Sequence, residues 1–243
     1  GTLTIDGCNE DKSGIGAVSV GTLTINSGTI NVHGGPSGAG IGGDYDNTGG
    51  GSITINGGVV NAWGGYSAAG IGGGDGRPYG STTCGNIVIN GGQVTAIGSN
   101  SYGIGPGLKR TNSYQNGSLR LNLTNPDDFV FISKEDANED KSLQSISIVD
   151  GITLYDENGV AHTSSNVGDI WGWTLRSYDY RIVLSDDADN STAIAAAAEN
   201  GKVYNVTLSD RTLYKDGKRN TLCLPLSLSA AQIAAHADFA GAT

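Results

Sequence analysis

Methionine is absent from this chain, and cysteine and histidine occur only three times each. Without methionine the sequence reads as a mature portion or an excised piece of a longer product, and no signal-peptide pattern occurs between Gly1 and Val20, which is also what removal of one would leave. Cys8, Cys84 and Cys223 show no C-x-x-C spacing, so neither a zinc site nor a redox pair is indicated. The histidines lie far apart in sequence and give a catalytic metal centre little to build on. No run of about 18 apolar residues exists, so no membrane-spanning segment is expected. Basic residues are scarce as well. Lys and Arg number 14 against 24 Asp and Glu, a net charge of −10 that repels nucleic acid and anionic membranes.

Glycine is what the chain has in excess, 40 of 243 residues against only 5 prolines, and most of it precedes residue 120. Collagen would need glycine at every third position, and the interleaved Ile and Val argue against disorder. Aligning the glycines exposes a repeat instead. "GTLTIDG" begins at 1, "GTLTINSG" at 21, "GSITINGG" at 51, "GNIVINGG" at 85 and "GSLRLN" at 117, the last three intervals being 30, 34 and 32 residues. A second run follows in "TINVHGG", "VVNAWGG" and "QVTAIGS", and then Gly-Ile-Gly, centred on Ile15, Ile41, Ile71 and Ile104. Ile25 to Ile41 and Ile55 to Ile71 are both 16 residues.

Each run alternates with period two, the strand period. Leu23 and Ile25 face one way and Thr22, Thr24 and Asn26 the other, with Ile53 and Ile55, then Ile87 and Ile89, in the same places. Three such short strands per unit cannot bury their apolar side alone. Stacked about 4.8 Å apart they form columns of like residues inside a coil. The pattern therefore predicts an all-β fold, a single-stranded parallel β-helix of roughly five rungs over residues 1–132. Gly-Ile-Gly then marks a sharp turn packed under the next rung. A phosphate-binding loop would lead into a helix, and no helix-period run follows.

Beyond that, residues 133–185 read as β-rich capping structure and 186–243 as a small module that reads as incomplete. Within the latter, Ser191 to Glu199 suits a short helix, and "KVYNVTLSDRTLYKDGKRNTLCLPLSL" reads as strand, turn and strand. Cys8 and Cys84, about three rungs or roughly 14 Å apart, are expected to be unpaired, since a disulfide needs Cα atoms within about 7 Å.

Two stretches resemble secreted or cell-surface proteins of gut Bacteroidetes. The "GxGIGGG…GxITINGGxVxAxGG" rungs are similar to a group of right-handed parallel β-helix proteins, some described as carbohydrate-binding. "YNVTLSDRTLYKDGKRNTLCLPLSLS" resembles a module of large surface proteins of the same bacteria, with Arg219 at a position usually held by Trp. The resemblance implies a right-handed coil, export, an extracellular or cell-surface location, and contact with polysaccharide or a cell-surface glycan. It carries over no catalytic residue.

Candidate residues cluster in and beside the variable loops that follow Gly-Ile-Gly, where a regular solenoid often builds its binding face. Trp63, Tyr45, Tyr66, Tyr79, Tyr102 and Tyr114 offer rings on which the apolar C–H faces of sugars stack, and Arg77 joins them as a candidate ligand contact. The competing use of such rings is to cover glycine-rich backbone at the corners. Asp44 and Asp46, with Asp75 in the next rung, could hold Ca²⁺, which takes six to eight oxygen ligands, or could be solvated turn residues. No other cofactor is suggested. A polysaccharide lyase or hydrolase would require Asp44, Asp75, Arg77, Lys109 and Arg110 around one groove. The expectation is a non-catalytic, exported surface protein that binds glycans through these loops, the rival being a structural spacer or adhesin for a protein partner.

Overall fold

The computed structural model describes residues 1–6, 10–16, 21–45, 50–76, 83–107, 117–134, 145–168, 170–179, 181–185, 188–199 and 204–209. They form a β-solenoid of about four turns, followed by a cap and a second unit. A half-turn comes first, with β1 (Thr2–Ile5) and β2 (Ile15–Gly16). The next turns are β3 (Thr22–Ile25), β4 (Thr29–His33) and β5 (Ile41–Gly42), then β6 (Ser52–Ile55), β7 (Val59–Tyr66) and β8 (Ile71–Gly72). β9 (Asn86–Ile89), β10 (Gln93–Ser99) and β11 (Ile104–Gly105) make the third, and β12 (Ser118–Leu121) with β13 (Phe129–Ile132) begin the fourth.

Three parallel sheets result. The first-run sheet contains β3, β6, β9 and β12, the Gly-Ile-Gly sheet contains β2, β5, β8 and β11, and the second-run sheet runs β1, β4, β7, β10, β13. Registers are in step with the repeat: Ile25 pairs with Ile55, Ile55 with Ile89, and Ile41 with Ile71. The inward columns Ile53–Ile87–Leu119 and Ile41–Ile71–Ile104 have no exposed surface. Each buried Ile or Leu contributes about 1.5–3 kcal/mol. Behind the Ile, glycine is obligatory. Gly42 and Gly72 have φ of 132° and 134°, and a side chain on Gly42 would collide with the Gly72 carbonyl oxygen.

One alignment made from the sequence is corrected. The first "GTLTI" does not begin a fifth rung above the second. β1 lies in the second-run sheet, with Thr2 opposite Thr29 and Ile5 opposite Val32. The spacing carries the reason. Ile5 precedes its Gly-Ile-Gly isoleucine by 10 residues, close to the 9 from Val32 to Ile41 and far from the 16 from Ile25.

Outside the coil, Asn side chains form a ladder at the end of the first-run strands. Asn56 Nδ2 donates to Asn26 Oδ1 at 2.8 Å, Asn90 to Asn56 at 2.9 Å and Asn122 to Asn90 at 3.4 Å. Amides suit this position because each both donates and accepts along the stack.

At the far end β14 (Ser145–Ile148) adds one more parallel strand beside β12. β15 (Leu154–Tyr155), β16 (Ala161–His162) and β17 (Thr174–Arg176) then extend the second-run sheet at its edge in antiparallel fashion, β17 pairing with β13. Leu154, Ile170 and Leu175 are buried there. His162 Nδ1 donates to the Val167 carbonyl at 2.7 Å, and its Nε2 lies 3.3 Å from Asp156 Oδ2. The second compact unit spans Tyr180–Thr243. Its described part holds β18 (Arg181–Ser185), α1 (Ser191–Glu199) and β19 (Asn205–Ser209), the two strands parallel. The helix lies where the sequence suggested. Among the described residues no helix is long and apolar enough to cross a membrane.

The ladder generates a prediction. Asn56→Ala removes one donated and one accepted bond and should cost about 1–2 kcal/mol. Asn122→Ala, at the end of the ladder with a single long bond, should cost less. Urea unfolding of both variants measures the difference; equal losses would show that the ladder contributes nothing as a chain.

Candidate functional site

The outward side of the second-run sheet collects one side chain per rung in each column. Register places Thr29, Val59, Gln93 and Phe129 in one column and Asn31, Asn61, Thr95 and Phe131 in the next. A third column holds His33, Trp63 and Ile97. Asn61 Nδ2 donates to Asn31 Oδ1 at 2.8 Å. His33 and Trp63 stack with centroids 4.3 Å apart and planes within 4°. Parallel rings at this separation are stacked along the coil, so His33 covers one face of the indole. Ile97 is in register on the other side. One face of the Trp63 indole is therefore taken up within the protein.

Tyr66 is placed differently. Between Trp63 and Tyr66 β7 carries one residue more than β10 carries between Ile97 and Ser99, which is a β-bulge. Strict alternation from Trp63 would point Tyr66 inward. The bulge brings it into the place of Ser99 and leaves it 59% exposed. Gly64 and Gly65 form the bulge, and a side chain at Gly65 would collide with the Gly35 carbonyl oxygen. The corner beyond is left-handed at two non-glycine residues, Ser67 with φ 64° and its counterpart Asn100 with φ 51°. Asn100 Nδ2 donates to Ser67 Oγ at 3.3 Å, tying the two corners together.

The remaining residues singled out from the sequence lie elsewhere. Tyr102 is buried, stacks on Trp171 at 4.7 Å and belongs to the core, so its ring has no exposed face for a sugar. Tyr45 is half-buried beyond the Gly-Ile-Gly strand, its amide donating to the Asp11 carbonyl at 3.0 Å. Beside it Asp44 Oδ1 accepts from the Ser13 amide at 2.7 Å and from Ser13 Oγ at 2.8 Å, and Lys12 Nζ lies 3.3 Å from Oδ2. Burial pushes the Asp44 carboxyl up, but the Ser13 donors and the Lys12 ammonium outweigh it and hold the group below its ordinary value. Asp75 has no exposed surface, and its amide donates to the Ser37 carbonyl at 2.8 Å. Asp46, Arg77, Tyr79, Lys109, Arg110 and Tyr114 lie outside the described residues. Among the described residues no group of three His, Cys, Asp or Glu side chains could hold a metal ion.

β7 thus carries two of the expected rings, Trp63 and Tyr66, and the structure adds His33 against Trp63 and the Asn31–Asn61 pair. These additions were within reach of the sequence, since "INVHGG" and "VNAWGG" align residue for residue. The bulge was not.

Cys84 is a free thiol with no exposed surface, packed against the glycine turn at Gly72, while Cys8 lies outside the described residues. Burial pushes its pKa far up. Alkylation with iodoacetamide followed by peptide mapping should leave Cys84 unmodified in the native protein and label it fully in denaturant. Gly65→Ala should lower stability by about 1–3 kcal/mol, because a backbone carbonyl must move to admit the methyl group. Thermal unfolding checks the loss, and a change in Tyr66 near-ultraviolet dichroism checks that the bulge is what moved.

Residues 23–45, 53–75 and 87–108 match the family described as Beta helix repeat. Neither a curated protein nor a solved structure matches the chain. The matched segments each run from the first-run strand through the second-run strand to the residues after Gly-Ile-Gly. Repeat and solenoid agree, and the chain is a parallel β-helix protein.

Proposed function

We propose that this is a non-catalytic, exported cell-surface protein that binds polysaccharide through the outer face of its second-run sheet. The observation that carries the reading is the bulge at Gly64–Gly65, which turns Tyr66 outward at the end of the strand that carries Trp63 and, five residues before Tyr66, the Asn61 amide paired with Asn31. An exposed ring on the same strand as amide donors and acceptors suits a chain of sugars, each with an apolar C–H face rimmed by hydroxyls. Bulges recur where a strand must re-aim one side chain at a ligand. The β-helix repeat suits a surface or binding protein, and export and surface display rest on the resemblance of the rungs and the C-terminal module. The acidic residues support a structural use: Asp44 is engaged by Lys12 and Ser13, and Asp75 is buried. Calcium would draw on Asp44, Asp46 and Asp75, none of which belongs to a second-run strand.

The second reading, a spacer or adhesin for a protein partner, is favoured by the stacking of Trp63 within the protein. Affinity electrophoresis through gels containing plant, mucin and bacterial polysaccharides separates the two. At least one polymer should retard the protein, and Tyr66→Ala should weaken that retention about tenfold, equivalent to about 1.4 kcal/mol. Uniform migration in every gel, or full retention of Tyr66→Ala, would overturn the assignment.

A further inference from the structure

We infer that the ligand of this face is a neutral polysaccharide and not an anionic one; the inference rests on the polysaccharide reading above. No outward position of β4, β7, β10 or β13 carries an Asp, Glu, Lys or Arg. The three columns hold Thr29, Asn31 and His33, then Val59, Asn61 and Trp63, then Gln93, Thr95 and Ile97, and finally Phe129 and Phe131. Such a stretch is unusual in a chain with 38 formally charged residues, 14 basic and 24 acidic. The nearest cation in the same sheet is Arg176 on the cap strand, whose guanidinium sits 5.2 Å over the Phe129 ring. At the other end Asp6 follows β1 and adds negative charge.

Uronates and sulfated sugars need a cation to offset the desolvation of their charge. The outward positions of β4, β7, β10 and β13 supply none, the Arg176 guanidinium at the far end of the sheet is seated over the Phe129 ring, and the net charge of −10 repels them at longer range. What these positions do supply is amide and hydroxyl chemistry that pairs with neutral sugar hydroxyls. The Asn61-to-Asn31 bond uses one N–H and one lone pair of amides that each have two of both. Tyr66 adds the apolar contact. Recognition of this kind is insensitive to salt, because no ion pair is formed that counterions could screen.

The test uses matched polymers: hydroxyethyl cellulose against carboxymethyl cellulose, dextran against carboxymethyl dextran, and galactomannan against its carboxymethyl derivative. Affinity electrophoresis is run at about pH 8, in about 20 mM and about 500 mM NaCl. The neutral member of at least one pair should retard the protein equally at both salt concentrations. Its carboxymethylated partner should be held about tenfold more weakly. Stronger retention by the anionic members, lost at high salt, would overturn the inference while leaving polysaccharide binding intact, and would move recognition to the cations Arg77, Lys109 and Arg110. Retention by none of the six polymers, together with uniform migration through the wider panel, would overturn both readings.

Discussion

Parallel stacking at one rung per strand spacing is the constraint from which the rest of this molecule follows. Each side chain meets its counterpart one repeat away at about 4.8 Å, so a position is judged by whether its residue tolerates a copy of itself. Isoleucine does so inside, where Ile41, Ile71 and Ile104 stack without exposed surface. Asparagine does so outside, because an amide donates on one side and accepts on the other. Charged residues do not, since like charges would be stacked at contact distance. The low charge of the strands and the placing of most charge in loops and beyond residue 132 both reflect this rule.

The same rule shapes the outer face of the second-run sheet. His33 and Trp63 occupy equivalent positions in neighbouring rungs and stack almost in parallel as a direct result. Stacking stabilises the coil but occupies one face of the indole. A ring can escape the column only where the register is broken, and the break at Gly64–Gly65 does this for Tyr66. Glycine is needed there because adjacent rungs leave no room for a Cβ. Departure from the repeat, not the repeat itself, therefore exposes the Tyr66 ring.

The Gly-Ile-Gly pattern served as a ruler for nearly all of the solenoid, and it would have served for β1 as well. The identity of the two "GTLTI" segments outweighed the distance to the next isoleucine, although that distance reports which strand is which. Local sequence identity measures which residues suit a strand, whereas spacing measures where the strand lies in the turn. Tyr102 illustrates a different limit. Its place after "GSNS" marks it as a loop residue, but the loop folds inward and the ring packs on Trp171, which is 69 residues away in sequence.

The sequence by itself determined the solenoid: period-two runs, recurrence every 30 to 34 residues and glycine at the turns leave no other way to bury the isoleucines. It also determined which residues stand above one another, apart from the first strand. Only the tertiary structure decided which rings are available. Exposure depends on a one-residue bulge, on the neighbour stacked against each face, and on packing against a distant cap. Those are properties of contacts between segments far apart in the chain, and no local pattern records them.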